Sequence, residues 1–472
     1  MIDIWQSPLR LRPLALGVVA LALSGCAGFS KDGGLDTVAD LTRERTGQSV
    51  NFSKPGADMA QADQTVTRLL GEPLTPDSAV QVALLNNRGL RASLAQLGIA
   101  EASLVQAGRM SNPGFSFGRM AGGHEVEIER SVMFDIVGLL TIPLRSNIEK
   151  RSFEIAKLQA AATAVRLAAD TRRAYFNAVA AQQSAQYAQQ VQLSADAGAE
   201  LAKRMARVGN FSKLDQMREQ AFYADATAQL ARARHNAVMA REQLARLMGV
   251  WGTMTLFKLP DRLPALPATP QAVERIETQA IEQRLDIRMA VRETEMTGSA
   301  LGLSKATGFV NVLHGGYVNK SSTGAPRANG YEIELELPIF DWGRSRIAKA
   351  EAIYMQAVER TADIAVRARS EARQAYSAYR TTYDLARHYQ DEVIPLRKAI
   401  SNETLLRYNG MLIGTFELLA DSRAQVNSVN AAIEAQRDYW LAETDLQAAI
   451  NGTGGSSLPT AASAAVEAAP AH

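Results

Sequence analysis

Apolar residues recur at helical spacing along most of this chain, and over a few short stretches they alternate with polar residues. A helical period opens just after Leu74 and continues to about Gln106, with Asp77 as the predicted N-cap. Residues 27–70, which precede this helix, are polar and rich in Gly, Asp, Ser and Thr. They predict an extended tether.

Two strands are predicted in the first half of the chain. Phe115 and Phe117 alternate with small residues, and the glycine pair at 122–123 is a turn signal. A second, less regular apolar run covers 126–134, and Pro143 is expected to end it.

Two further strands are predicted in the second half. Residues 309–318 form the first, and residues 321–329 read as a loop. Residues 331–337 alternate strictly, as expected of a strand with one apolar and one polar face.

Very long helical stretches follow each pair of strands. Residues 145–207 would make a helix about 95 Å long at 1.5 Å per residue, and a second helix covers about 214–247. After a Pro-rich linker at 261–270, another long run reaches about Tyr408 with an interruption at Pro395, and a last helix ends near Ile450. Such lengths are typical of coiled-coil assemblies rather than compact globules.

The same order of elements occurs twice, and two short segments repeat almost in register. Residues 208–215 and 413–420 both contain an apolar residue, Gly and Phe at matching places, and both lead on to Arg and Gln. Each segment interrupts a long helical stretch. This pattern indicates an internal duplication with a period of about two hundred residues.

The predicted strands imply assembly of several chains. The sequence after residue 26 contains no apolar run of the length that a membrane-spanning helix needs. Four amphipathic strands cannot close a membrane barrel, for which about eight are the practical minimum. Lipid does not tolerate open strand edges. A barrel built from this chain would therefore need more than one copy.

The N-terminus predicts export and lipid attachment. Arg10 and Arg12 precede an apolar stretch over 13–25, and Cys26, the only cysteine, follows small residues. This arrangement resembles the bacterial lipobox, which implies cleavage before Cys26, acylation of that cysteine and, with Ala27 next, sorting to the outer membrane. The alternative is a chance cysteine at the end of an ordinary signal peptide.

Composition offers little sign of other functions. Charged residues are 21% with a net charge of +2, and their signs are intermixed, which argues against nucleic acid binding. The five histidines lack metal-ligand spacing, and no nucleophile–base set or phosphate-binding loop is recognisable. No catalytic residue, metal or cofactor is predicted, and the protein is not expected to be an enzyme.

A set of motifs carries a resemblance to a known family. The motifs lie at 74–87, 112–113, 172–175, 338–344 and 373–376, together with the two glycine-containing segments, and they span about 72–450. In this order and behind a lipobox, they resemble the TolC-type outer-membrane factors, in particular their lipoprotein branch.

The resemblance implies an α+β membrane protein with two structural repeats that works as a homotrimer. Four strands per chain would give a 12-stranded transmembrane β-barrel, and long antiparallel coiled-coil helices would form a periplasmic α-barrel. The implied function is a passive exit duct that docks to a periplasmic adaptor and an inner-membrane pump. The predicted divisions are a signal peptide (1–25), a lipidated tether (26–71), repeat 1 (72–260), the linker (261–270), repeat 2 (271–451) and a disordered tail (452–472).

The resemblance also implies that the two glycine-containing segments form the closed periplasmic tip of the duct. The candidates for its gate and selectivity ring are Asp215, Glu417 and Asp421. Asp215 and Glu417 match acidic positions of the family pattern, whereas Asp421 lies one place further along, after Ala420, which replaces an acid. They are equally well interpreted as ordinary helix-start acids. The candidates for tip turns and adaptor contact are Gly209, Phe211, Gly414 and Phe416. Arg218 and Arg423 are expected to pair within the tip.

Two other functions stay open at the level of sequence. A lipid-anchored periplasmic coiled-coil scaffold without a pore would need no alternating strands, which residues 331–337 argue against. An envelope hydrolase would need a nucleophile and a base, and no such set is recognisable. The cargo of the duct cannot be read from the sequence.

Overall fold

The structure is a computed structural model that describes residues 28–48, 59–272 and 274–453, without the side chains of 59–61 and Phe416. The predicted signal peptide, Cys26 and the tail from residue 454 lie outside the described residues. By internal contacts the chain divides into two units, one formed by described residues 28–35, 94–159 and 288–363, the other by the remainder.

Helices occupy most of the segment that was expected to be an extended tether. Helix α1 is Leu35–Thr46 and helix α2 is Met59–Gly71, so the prediction of extended chain is wrong there. Val38 and Val66 are buried. Both helices are short and rich in polar residues, which is why the composition concealed them.

Helices α3 (Pro76–Asn86) and α4 (Arg88–Ala107) form the first predicted helical element. The N-cap is Thr75 rather than Asp77. Ser78 N donates to Thr75 Oγ1 at 3.1 Å, and Thr75 N donates to Ser78 Oγ at 2.8 Å. This reciprocal capping box leaves no capping role for the neighbouring carboxylate.

Four strands form one antiparallel sheet in the order β1-β2-β3-β4. They are β1 (Gly114–Gly122), β2 (Glu125–Asp135), β3 (Leu313–Ser322) and β4 (Ala328–Leu335). The second half contributes β3 and β4, and both lie a few residues from their predicted bounds. The central pair joins the two halves of the chain, with Val132 opposite Tyr317.

The first long helix, α5 (Ile136–Arg207), begins directly after β2. Pro143 therefore lies inside the helix, and the expectation that it ends the preceding strand is wrong. Asp135 Oδ1 accepts a hydrogen bond from Gly138 N at 2.7 Å, which starts the helix seven residues before the proline. Arg145 Nη2 donates to Gly138 O at 2.7 Å and so satisfies a carbonyl near the proline.

Six further helices and two short turns make up the rest of the described helical structure. They are α6 (Lys213–Met248), α7 (Ile276–Gln283), α8 (Leu285–Ala306), α9 (Arg344–His388), α10 (Ile394–Asn409) and α11 (Thr415–Asn451), with a short 3₁₀ turn at Gly252–Leu256. A π-helical turn, Tyr389–Val393, joins α9 to α10 just before Pro395. The wider turn lets the helix continue past a residue that lacks an amide hydrogen.

Alanines and a few aromatic rings build the core of the larger unit. Phe176 of α5 stacks on Trp440 of α11 with ring centroids 5.2 Å apart. Tyr439 of α11 meets Tyr379 and Tyr383 of α9 at 5.7 and 5.6 Å. Small residues bring helices close and the rings fill what remains.

The linker between the halves is hydrogen-bonded to these helices. Gln436 Nε2 and Trp440 Nε1 both donate to Pro264 O, at 2.7 and 3.1 Å. Gln271 N donates to Tyr379 Oη at 2.9 Å. None of the helices in the described ranges has the length and apolarity needed to cross a membrane.

Candidate functional site

Two tight turns join the long helices, at the repeated glycine-containing segments. In the first, between α5 and α6, Gly209 has φ of 81°, and Asn210 N donates to Met205 O at 3.0 Å. In the second, between α10 and α11, Met411 takes the left-handed conformation, with φ of 57°. Gly414 is the N-cap of α11 with φ of −82°, which any residue adopts. The need for glycine therefore holds for Gly209 and not for Gly414.

Asp215 belongs to the start of α6. Ser212 Oγ accepts from Asp215 N at 3.0 Å and donates to Asp215 Oδ2 at 2.6 Å. Arg218 Nη1 lies 3.3 Å from Asp215 Oδ1. The carboxylate is thus engaged by a cap and a cation, which is the arrangement of a helix-start acid.

The two acids after the second turn differ in their surroundings. Glu417 is exposed in the first turn of α11. Asp421, one turn further on, is half-buried, and its Oδ2 is buried without a hydrogen-bond partner among the described atoms. Glu417 is therefore the acid that is free to act on ions in solution, whereas Asp421 is partly withdrawn from it.

A buried carboxylate that the sequence did not single out lies between these helices. Glu219 of α6 is 4% exposed, and Oε1 lies 3.7 Å from Arg423 Nη2 of α11. The Arg423 guanidinium sits 4.5 Å from the centre of the Phe222 ring. On the α5 side, a Cβ at Gly198 would lie 3.5 Å from Glu219 Oε2. Three helices thus converge on this carboxylate.

Opposing influences act on the pKa of Glu219. Burial raises the pKa of Glu219 above its ordinary value, the nearby Arg423 opposes that rise, and the charge of Asp215 adds to it. Glu219 Oε2 and Arg423 Nε are both buried without a hydrogen-bond partner among the described atoms. The polar groups at the contact between α6 and α11 are therefore incompletely hydrogen-bonded.

Large apolar side chains are exposed around both turns. Val208, Leu214 and Met217 flank the first turn, and Met411, which is 93% exposed, and Leu412 lie in the second. Phe211 is half-buried. The side chain of Phe416 lies outside the described part of the structure. Apolar surface of this kind is typical of contact sites for other proteins.

The sheet has two chemically different faces. Side chains alternate along each strand, and the register runs without interruption. One face, here called the apolar face, carries Phe115, Phe117, Ile128, Val132, Phe134, Tyr317, Tyr331, Ile333 and Leu335. Its side chains are open to the surroundings, since Tyr331 is 85% exposed.

The opposite face, here called the acidic face, holds every carboxylate of the four strands. These are Glu125, Glu127, Glu129, Asp135, Glu332 and Glu334. Lys320 pairs with Glu129 at 3.2 Å on the same face. No cluster of three or more His, Cys, Asp and Glu that could hold a metal ion occurs within residues 28–48, 59–272 and 274–453.

The chain is similar to one curated protein in sequence and to solved structures in fold. No family model matches the sequence. The chain is 23% identical over 320 residues to the cobalt-zinc-cadmium resistance protein CzcC of Cupriavidus metallidurans, covering 64% of this chain and 74% of that protein.

Solved structures match over a larger share of the chain. The CmeC outer-membrane channel of Campylobacter jejuni superposes with a TM-score of 0.70 at 16% identity, covering 86% of this chain and 90% of that one. The open state of the MtrE outer-membrane channel of Neisseria gonorrhoeae gives 0.66 at 18% identity, with 82% and 89% covered. At these identities the likeness concerns the fold.

Proposed function

We propose that this chain, whose fold is that of the TolC-type outer-membrane channels, forms a passive outer-membrane exit duct in a tripartite efflux system. An inner-membrane pump would deliver substrates to it through a periplasmic adaptor. The observation that carries this proposal is the sheet, which turns an exposed apolar face to one side and a charged face to the other.

That division of faces is what a membrane barrel requires. Lipid-facing positions must be apolar, and positions lining a water-filled lumen are polar, in strict alternation. The strands are 8 to 11 residues long, close to the length needed to span a bilayer when tilted. A scaffold without a pore would have no use for an open sheet whose aromatic residues face outward.

Closure of the barrel supports a homotrimer. Within one chain β1 and β4 each pair on one side only. Three chains joined edge to edge, β1 to β4, would give 12 strands and leave no open edge in lipid. The proposed repeats, 72–260 and 271–451, would each supply one hairpin and one pair of long helices, joined by the 261–270 linker.

The helix turns are proposed as the periplasmic gate. Glu417 and Asp421, and to a smaller extent Asp215, would surround the mouth in threefold copies and favour cations. Gly209, Phe211, Gly414 and Phe416, together with the exposed apolar residues nearby, would contact the adaptor. Cys26 is proposed to carry the lipid that anchors the mature chain to the outer membrane.

The acidic face bears on the kind of cargo. Three copies of that face inside one barrel would concentrate cations and repel anions. The name of the relative CzcC refers to resistance to cobalt, zinc and cadmium, and metal cations would suit this lumen. We propose cations or cationic compounds as the preferred cargo of this duct.

Reconstitution tests the duct directly. Full-length protein purified from outer membranes should run as a heat-modifiable trimer and conduct ions across a planar bilayer, with a preference for cations. The scaffold alternative predicts monomers without conductance. Absence of conductance even after substitution of the tip acids, in a preparation with intact helical structure, would eliminate the duct.

A further inference from the structure

Two arginines interrupt the apolar face of the sheet. Arg119 of β1 lies opposite Ile128, and Arg130 of β2 lies opposite Phe117. Both positions belong to the apolar face, while the strand carboxylates occupy the other face. A guanidinium on a lipid-facing surface is costly unless it reaches polar partners or lipid headgroups. Asn319 and Asn329 share the row of Arg130 on this face, so the end of the face nearer the hairpin turns is polar, which contact with the hydrocarbon core does not explain.

We infer that Arg119 and Arg130 bind the phosphate groups of an anionic glycolipid in the outer leaflet of the membrane. The inference rests on the proposed function, because it requires the apolar face to lie against lipid. Three further observations support the lipid site itself. They are the spacing of the two arginines, their hydrogen-bond partners and the rows of the sheet in which they lie.

The spacing suits one ligand. Arg119 and Arg130 are diagonal neighbours on adjacent antiparallel strands, where residues lie about 7–8 Å apart. Arginine side chains are long enough to bring both guanidinium groups to a single phosphate. Each guanidinium offers N–H groups in a planar fork that matches phosphate oxygens.

Arg130 is held in place without losing its charge. Its Nη1 donates to Asn319 Oδ1 at 3.1 Å, and Asn319 Nδ2 donates to Asn329 Oδ1 at 2.7 Å. The guanidinium also lies 5.9 Å from the centre of the Phe117 ring. These partners are neutral, and across the described residues no carboxylate pairs with Arg119 or Arg130. The positive charge is therefore available to an anion from outside the chain.

The level of the arginines on the sheet identifies the source of that anion. The next row of the apolar face, away from the hairpin turns, holds Phe115, Tyr317 and Tyr331, which pair across the strands with Val132. Aromatic rows of this kind mark the membrane–water interface. In the proposed duct the hairpin turns face the cell exterior, so the guanidinium groups lie where outer-leaflet headgroups carry their phosphates.

Lipid retention tests the assignment. Full-length trimers in nanodiscs of neutral phospholipid are exposed to diphosphoryl lipid A, and bound lipid is counted by native mass spectrometry. Wild type should retain it. Arg119→Gln with Arg130→Gln should bind it at least tenfold more weakly, since the loss of one charge-assisted contact alone gives about that factor. Lys320→Gln, which removes the cation of the acidic face, is the matched control and should bind as wild type does.

Additional ligands identify the group that is bound, and a second variant controls for misfolding. Dephosphorylated lipid A should bind wild type as weakly as diphosphoryl lipid A binds the double variant. Inorganic phosphate at equal concentration should not compete. Arg119→Lys with Arg130→Lys keeps the charge and should bind with intermediate strength if the glutamine variant fails to assemble.

Specific outcomes would overturn the site. The site would be contradicted if wild type retained phosphorylated and dephosphorylated lipid A equally. It would also be contradicted if Lys320→Gln lost as much lipid A binding as the double arginine variant, or if inorganic phosphate competed fully. Conductance is recorded on the same preparations. Conducting wild-type trimers that retain no lipid A would remove the lipid site and keep the duct. Retention of lipid A without conductance, even after substitution of the tip acids, would remove the duct.

Discussion

The carboxylate of Glu219 lies 3.7 Å from the guanidinium of Arg423, and this pair joins α6 to α11 beside the two turns. The Glu219 side chain is 6% exposed and that of Arg423 is 40% exposed. The pair is thus buried on one side and reachable by water on the other. Its loss would remove an electrostatic contact between these two helices.

Removing the cation should loosen the tip. Arg423→Gln leaves the Glu219 carboxylate buried with no opposing charge, at a cost of about 1–3 kcal/mol. Amide hydrogen exchange of residues 205–222 should accelerate, and the open-channel fraction in planar bilayers should rise. Glu219→Gln combined with Arg423→Gln should recover much of the protection, because no buried charge remains unpaired. Equal exchange in the single and double variants would contradict this role.

The same carboxylate makes the tip sensitive to pH. Burial raises the pKa of Glu219 above 4.5 despite Arg423, while Asp215 raises it further. At a pH between the pKa of Glu219 in the unfolded chain and its pKa in the folded chain, Glu219 is mostly protonated in the folded chain and mostly ionised in the unfolded chain. The contribution to stability is therefore complete below about 4.5 and is lost as pH rises through the raised value.

Hydrogen exchange of residues 205–222 measured across that window should become faster as pH rises, after correction for intrinsic exchange. Glu219→Gln should remove most of the change. Glu443, whose pKa is also raised by burial, serves as the matched control, since Glu443→Gln should leave the exchange of the tip unaltered. A tip whose pH response survives Glu219→Gln would assign it to another group.

The three tip acids should differ in their effect on ion selectivity. Glu417→Gln removes an exposed charge and should lower the cation preference about twofold, as expected for ~0.4 kcal/mol of interaction in water. Asp215→Asn should change selectivity less and helix stability more, because Ser212 and Arg218 already engage that carboxylate. Reversal potentials in a salt gradient measure the difference. Identical shifts for both variants would refute the ranking.

The linker should depend on single tyrosine hydroxyls. Tyr379→Phe removes the acceptor of Gln271 N, which should cost about 0.5–1.5 kcal/mol and make the Gln271 amide exchange faster. Tyr383→Phe is the matched control. Its hydroxyl donates to the carbonyls of Pro267 and Ala268, so its loss should leave the Gln271 amide protected. Rapid exchange of Gln271 in both variants would mean that the linker detaches as one piece.

Patterns with a local cause were readable from the sequence. The alternation at 331–337 predicted a strand because side chains of a strand face opposite sides, and the long helices followed from the absence of proline. The predicted pairing of Arg218 and Arg423 is seen in their contacts with Asp215 and Glu219, whereas the assignment of these segments to a tip stays a prediction.

Features with a distant cause were not readable. Glu219 follows Asp215 by one helical turn, but its burial depends on Gly198 and Arg423, which lie on other helices. Pro143 was predicted to end a strand. It lies instead inside a helix, which begins seven residues earlier and is capped by Asp135. The sequence predicted alternating apolar and polar residues within single strands. It did not predict that all the strand carboxylates share one face, because that depends on the register between the four strands.

The pairing of β2 with β3 changes how a ring of strands would assemble. Separate hairpins would meet at six seams in a 12-stranded ring, and each seam would depend on the density of the protein in the membrane. Joining two hairpins through β2 and β3 places three of those seams inside single chains, where a tether sets a high effective concentration. Only the other three seams would form between separate chains, so the ring could form at a low density of the protein in the membrane.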